Sequence, residues 1–302
     1  MRNCKAMKSG SQNVSGIAIA GTGSLGRCLA RALVAAGEPL QVILTRDPGS
    51  VILPEELASI QVRASGNGLF SPSQGLLLFL AVPDDAIGPL AVSLSKTGQW
   101  EGTTVAHCSG AMPASLLQPL KSKGAAIAAF HPVQTFAPGS RPETFHNICI
   151  SLQGDDEAAG RLEPVARALG ANPLRVDEAG KLKLHLAAVF ISNYLAGLME
   201  AAREITGDVI GNKMTVEQVL GPIHVKAAQN IAQSGHRQTL TGPILRGDIE
   251  TVRKHLQALD DNPDLKNLYA RLGLYTLRAA RATRRESSHD AIEHLLGPIV
   301  DD

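Results

Sequence analysis

The sequence predicts an α/β fold: a doubly wound, mostly parallel sheet over residues 14–176, followed by an all-α domain over residues 177–302. Three observations predict it. A short apolar run at residues 14–20 leads into Gly-Thr-Gly-Ser-Leu-Gly at residues 21–26 and then into a helical pattern. Further apolar runs recur at residues 41–45, 75–82, 103–108 and 127–130, continuous as in strands buried on both faces. Past Val176 nothing strand-like remains, and the composition turns helical and alanine-rich.

In the first unit, Leu29, Ala30, Leu33 and Val34 recur at helical spacing behind the glycines. Strand, glycine turn and helix in that order give a G-x-G-x-x-G pattern its meaning. Gly21 permits the tight turn, Gly23 lets backbone N–H groups approach a pyrophosphate, and Gly26 lets the helix pack closely on the strand. Thr22, Ser24 and Leu25 complete the turn, and the helix N-terminus adds the positive end of its dipole. These features point to a bound dinucleotide; a tight turn with no ligand is the bland alternative. The next run, Gln41 to Thr45, closes a βαβ unit of about thirty residues. An acid that bonds the ribose 2′-hydroxyl usually stands about twenty residues past the last glycine. This chain carries Arg46 there, after Thr45 and before Asp47. A guanidinium offers a 2′-phosphate a permanently charged fork, so NADP(H) is expected over NAD(H).

After Arg46 a stretch rich in Pro, Gly and Ser runs to Ser73, with a short helix expected at 54–59 and a strand near 60–63. The strand at 75–82 ends in Ala81, Val82 and Pro83, which belong beside the cofactor because such folds bind ligands at the carboxyl ends of strands. Asp84 and Asp85 read equally as helix caps. The strand at 103–108 leads to Ser109 and Gly110, and Pro113 suits the first turn of a helix. The strand at 127–130 leads to His131, Pro132 and Gln134. These two strand ends make a polar rim where a nicotinamide would lie. His131 reads either as a satisfied structural histidine or as a catalytic one. Two more strands are expected at 145–152 and 172–176, with a helix over 156–169 between them.

One long helix is expected over 178–206. It places Lys181, His185 and Ser192 in one arc, with Asn193 further round. That polar stripe faces either a cleft or water. Helices follow at 215–232, 249–259, where Asp248 has the type and position of an N-cap, and 265–284; residues 285–302 read as a mixed, peripheral tail. In the polar connection before Asp248, Thr241 and Arg246 are substrate-binding candidates, the guanidinium as anchor for a carboxylate.

At 302 residues there is room for about two domains. Net charge is +1, from 29 basic against 28 acidic residues, which implies no footprint for nucleic acid or an anionic membrane. Cys4, Cys28, Cys108 and Cys149 are scattered without metal-ligand spacing and read as reduced thiols of a cytoplasmic protein. The first thirteen residues read as a disordered lead-in without a signal peptide, and no run of eighteen uncharged apolar residues predicts a membrane span.

The glycine turn, Phe-His-Pro-Val-Gln-Thr-Phe at 130–136, the helix carrying His185 and Asn193, and Leu-Thr-Gly-Pro-Ile-Leu-Arg-Gly-Asp at 240–248 together resemble a bacterial family that joins a Rossmann-like domain to domain of unknown function 2520. The likeness runs from about residue 14 to about 284. The family is similar to the wider group of pyrroline-5-carboxylate reductase, ketopantoate reductase, prephenate dehydrogenase and 6-phosphogluconate dehydrogenase. The resemblance implies a Rossmann domain, an all-α domain of the 6-phosphogluconate dehydrogenase C-terminal type that forms a homodimer, and an active site between the two. It implies an NADP(H)-dependent oxidoreductase that passes hydride to the carbonyl or imine carbon of a small carboxylate-bearing substrate, a 2-oxo acid such as ketopantoate being the leading example. His131, His185 and Asn193 are then the catalytic candidates, with Gln134, Thr241 and Arg246 on the substrate. Lys181 or Lys183 aligns loosely with a lysine of the hydroxyacid branch. Many relatives place tyrosine before the helix histidine; Leu184 stands there in this chain, which disfavours a tyrosine proton donor and favours His185. The alternative function is a sensor that binds NADP(H) or a nucleotide without turnover.

Overall fold

The computed structural model describes residues 14–65, 72–211, 213–284 and 286–301. The expected lead-in lies outside the described residues. The chain divides into two compact units, Met1–Tyr194 and Leu195–Asp302.

In the first unit the elements are β1 (Gly16–Ala20), α1 (Ser24–Ala35), β2 (Leu40–Thr45), β3 (Gln61–Ala64), β4 (Leu76–Leu80), α2 (Asp84–Leu94), β5 (Thr104–His107), α3 (Gln118–Lys121), β6 (Ala126–Pro132), β7 (Cys149–Gly154), α4 (Asp156–Ala168), β8 (Asn172–Arg175) and α5 (Glu178–Ile191). The described strands form one eight-stranded sheet in the order β3-β2-β1-β4-β5-β6-β7-β8. Every pairing is parallel except β6 with β7. The crossover after β1 lies on the β2 side and the next on the β4 side, so the order reverses at β1, where such sheets open a ligand crevice.

The central strands β1, β4, β5 and β6 are buried at every position, which is why they read as unbroken apolar runs. One face carries α1 and α4, through Leu29, Leu33, Leu162 and Val165. The other is covered by α2 and α3, with Ile87, Leu94 and Leu120 around the fully buried Trp100. The edge strands β3 and β8 are half exposed, and the helix expected at 54–59 is only a 3₁₀ turn, Glu55–Leu57. Pro113 caps a 3₁₀ turn, Ala114–Leu117, that runs on into α3.

The single helix expected over 178–206 is broken. α5 stops at Ile191, Ser192 leaves the helical region with φ −126° and ψ −68°, and α6 (Asn193–Ile210) begins next to it. The Ser192 hydroxyl donates to the Ala188 carbonyl at 2.6 Å, a back-bond that competes with the backbone ladder and bends helices. Counted as one element, Glu178–Ile210 is long and apolar enough to cross a membrane, and its most apolar stretch is unburied.

In the second unit α7 (Val216–Ser234) starts with a capping box between Thr215 and Gln218. There follow α8 (Pro243–Arg246), α9 (Ile249–Gln257), α10 (Pro263–Thr283) and α11 (Ser288–Asp301). The expectation of a peripheral tail is wrong: α11 inserts Ile292 and Leu296, both fully buried, against Val252, Ala270 and Leu277.

Candidate functional site

The glycine turn is built by steric exclusion. Gly21 has φ +116°, and a Cβ on it would overlap the Ala81 carbonyl oxygen of the neighbouring strand end. A Cβ on Gly26 would overlap the Gly21 carbonyl, so α1 approaches the turn as closely as backbone allows. At Gly23 a Cβ would meet nothing within 4 Å. Gly23 is the N-cap of α1 and no side chain caps the helix, so the amides of its first turn stay available to an anion. Open space over uncapped amides fits a pyrophosphate.

A cleft of about 690 Å³ runs from this turn over the strand ends. Its lining includes Gly21, Thr22, Gly23, Thr45, Arg46, Ala81, Val82 and Pro83, together with Ser65 and the start of α2 at Asp85 and Ala86. The size suits a nucleotide. Arg46, at the end of β2, is the cationic side chain in this lining, and Asp47 turns away to cap a 3₁₀ turn by accepting from the Gly49 amide. Ser24 lines a neighbouring cleft that shares Thr22 and Gly23 with the first, and Leu25 packs on the core.

Further along the sheet a polar cluster gathers where β5 and β6 end. His107 is fully buried; its Nδ1 accepts the Ser109 amide at 3.2 Å, which leaves Nε2 to donate to the Pro113 carbonyl at 3.1 Å. Ser109 is internally satisfied too, its hydroxyl oxygen accepting from the Met112 amide. His131, at the end of β6, is 8% exposed and lies 3.4 Å from the Ser151 hydroxyl on β7. Burial pushes both imidazoles down to about 4, and the Lys181 charge acts the same way; the Pro113 hydrogen bond of His107 and the Asp84 charge oppose it. At neutral pH both are uncharged.

Helix α5 brings two further groups. Lys181 is 1% exposed, and its ammonium donates to the Gly110 and Met112 carbonyls at 2.6 Å each. Burial lowers it to about 8, with Asp84 and Glu178 acting the other way. His185, one turn on and therefore on the same helix face, packs edge-on against His131 with ring centroids 5.6 Å apart. Gly110 sits between them: a Cβ there would overlap His185 Nδ1 and fall 2.7 Å from His131 Nε2. Two neutral imidazoles, a buried ammonium bonded to backbone and a half-buried imidazole can hold and orient polar groups, and imidazole can transfer protons, beside the strand ends.

Of the residues singled out in the sequence, the first unit thus brings together Ser109, Gly110, His131 and His185. Gln134 is exposed, and its amide oxygen accepts from the Thr135 amide. Asn193 is exposed at the head of α6 and accepts from the Ser192 hydroxyl. Thr241 and Arg246 belong to the second unit, where Arg246 lies 3.9 Å from Asp248 and Asp248 caps α9 at the Thr251 amide. Sequence reasoning misses His107. Its signal is the match with His131, a second imidazole at a neighbouring strand end. Among the described residues no group of three or more His, Cys, Asp or Glu could hold a metal.

Fold and site define a class: a doubly wound dinucleotide-type unit with its glycine turn open, followed by a helical unit. Residues 7–132 match the Rossmann-like domain and residues 148–276 match Domain of unknown function (DUF2520). The two matches span most of the chain, and the protein belongs to the family that joins these domains. No curated protein matches it in sequence. Among solved structures it is similar to protein TM1727 from Thermotoga maritima, with a TM-score of 0.71, 23% identity, and coverage of 89% of this chain and 100% of that one. It is also similar to BF3122 from Bacteroides fragilis, a candidate NADP oxidoreductase, with a TM-score of 0.67, 23% identity, and coverage of 87% and 98%. The reductive aminase from Aspergillus terreus, solved with NADPH and ethyl levulinate, has a TM-score of 0.57, 14% identity, and coverage of 96% and 99%.

Proposed function

We propose that the protein is an NADP(H)-dependent oxidoreductase that reduces the carbonyl or imine carbon of a small carboxylate-bearing substrate, a 2-oxo acid such as ketopantoate being the first to try. The observation that carries this reading is the open, uncapped glycine turn sharing one cleft with Arg46. The family and the structural likenesses to BF3122 and to the NADPH-bound reductive aminase support it. The chain's residues divide the work. The turn amides and the head of α1 would hold the pyrophosphate, and Arg46 with Thr45 the 2′-phosphate. A bound nicotinamide supplies the hydride. His185 would protonate the developing alkoxide or amine, because it is the imidazole of the pair left half exposed. His131, held neutral by burial, would orient the reacting carbonyl as a hydrogen-bond donor. Lys181 would keep the Ser109–Gly110 backbone in place between the two rings. Asn193, Gln134, Thr241 and Arg246 remain candidates for the substrate's polar groups, Arg246 for its carboxylate.

The partners in this proposal are that substrate and a second copy of the chain, with no nucleic acid and no membrane. On α5, Leu182, Leu186 and Phe190 recur at every fourth residue and are each more than half exposed, a face that calls for a cover. Lys181 fastens the same helix to the loop that follows β5, at the Gly110 and Met112 carbonyls, which suits a protein interface better than a bilayer. Cys28, Cys108 and Cys149 are free thiols, in keeping with a cytoplasmic location.

The test is direct. Calorimetry should show NADPH binding more tightly than NADH, and a screen of oxo acids and imines should reveal NADPH oxidation. Tight NADPH binding with no turnover on any of them would favour a sensor; no binding of either coenzyme would end the proposal.

A further inference from the structure

Arg27 stands one residue past the last glycine of the turn, outside the G-x-G-x-x-G pattern. It is exposed, yet its guanidinium is spent on two backbone carbonyls in different loops. Nε donates to the Thr22 carbonyl at 2.8 Å, inside the glycine turn. Nη1 donates to the Ile52 carbonyl at 3.0 Å, in the segment that follows Arg46. The neighbouring Arg31 differs, because its Nε pairs with the Glu56 carboxylate at 2.7 Å. Among the described residues no carboxylate forms an ion pair with Arg27.

The segment that Arg27 grips is short. It leaves β2 at Thr45, passes Arg46, folds into the 3₁₀ turn Pro48–Ser50 under the Asp47 cap, and reaches Ile52. One end is fixed by the pairing of β2 with β1 and β3. The other is held by Arg27 at the Ile52 carbonyl and by Leu53, which packs on the core. The turn that would face the pyrophosphate and the segment that would face the 2′-phosphate are therefore tied by one side chain. Just beyond, Leu53 packs on the core, while a second cleft of about 600 Å³, lined by Thr22, Gly23, Ser24, Arg27 and Ile52 among others, leaves the Arg27 bridge itself open to solvent.

We infer that Arg27 is a positioning residue for coenzyme choice: it holds Arg46 in register with the glycine turn, so that a 2′-phosphate meets a prearranged site. This rests on the dinucleotide reading above and deepens it. A preorganised loop gains affinity because its ordering is already complete before the ligand arrives. Only arginine can do this. Its planar fork offers two donors at fixed spacing, whereas lysine keeps the charge and loses the bridge.

The experiment is a double-mutant cycle read by direct titration of NADPH and NADH into the full-length protein. Arg27→Lys should weaken NADPH about tenfold and NADH less than threefold. In an Arg46→Gln background the same change should cost NADPH less than threefold, because the group being positioned is gone. Arg27→Gln, which reaches only one of the two carbonyls, should follow the same pattern, so a poorly folding lysine variant would not shelter the inference. Equal weakening of both coenzymes, no weakening, or full additivity with Arg46→Gln would overturn it while leaving coenzyme binding intact. Wild-type protein that binds neither coenzyme, or both alike, would instead bring down the reading underneath, and the inference with it.

Discussion

The Lys181 ammonium donates to the Gly110 carbonyl oxygen across 2.6 Å, from inside a site that leaves the lysine 1% exposed. A buried cation is costly unless its donors are used, and here the Gly110 and Met112 carbonyls take two of the three. The lysine's folded pKa of about 8 lies below its ordinary 10.5, so between these values the unfolded chain binds more protons than the folded one. Stability should therefore rise as pH is raised from about 8 to 10.5, by up to ~3 kcal/mol. Lys181→Met should abolish that rise. Urea unfolding of both proteins at about pH 7.5 and about pH 10 measures the difference. Parallel changes in the two proteins would show that the lysine is not buried as described.

Gly110 carries the second prediction. Because a Cβ would overlap His185 Nδ1 and crowd His131 Nε2, Gly110→Ala must push one imidazole aside. Overpacking of this kind costs about 1–3 kcal/mol. Turnover should fall at least tenfold, and by more than NADPH affinity does, since Gly110 is not among the residues lining the cleft of the glycine turn and Arg46. A variant with unchanged kcat would separate the histidine pair from the chemistry.

How far this site can be read in advance differs from part to part. The dinucleotide unit is legible because each glycine does a separate steric job and because doubly covered strands cannot hide their apolar runs. Arg46 is legible from its distance past the turn. The role of Lys181 is not, because a polar residue on an alanine-rich helix can equally face water, and only the fold reveals the two carbonyls opposite it. Arg27 is silent for a similar reason: its partners are backbone atoms, which carry no side-chain signature. The break at Ser192 escapes because serine and asparagine tolerate helices well enough and the bend comes from a side-chain back-bond. In α11 the apolar positions Ile292, Leu296 and Ile299 do recur at helical spacing, but Gly297 and Pro298 lie among them and weaken the pattern.

Acid should destabilise the first unit through its buried histidines. His107 and His131 titrate near 4 when folded and near 6.5 when not, so below 6.5 the unfolded chain takes up protons that the folded one refuses. Stability is lost as pH falls from 6.5 toward 4, on the order of 2 kcal/mol per histidine at about pH 5. His131→Asn should flatten part of that slope. Denaturant titrations at about pH 7 and about pH 5 check it, and an identical loss in wild type and variant would count against a neutral, buried His131.

The exposed face of α5 makes the last prediction. Leu186 and Phe190 stand one turn apart and are 52% and 60% exposed, with Leu182 one turn before them at 54%. Apolar side chains so grouped lose water when covered, at about 25 cal/mol per Å². If a second copy supplies the cover, sedimentation equilibrium should report a dimer, and Phe190→Glu should shift it to monomer by placing a charge in the buried seam. Because Phe190 points away from the helix face that carries Lys181 and His185, the variant should keep its fold and its coenzyme affinity. A wild-type chain that sediments as a monomer at micromolar concentration, or a Phe190→Glu protein that stays dimeric, would move the interface elsewhere.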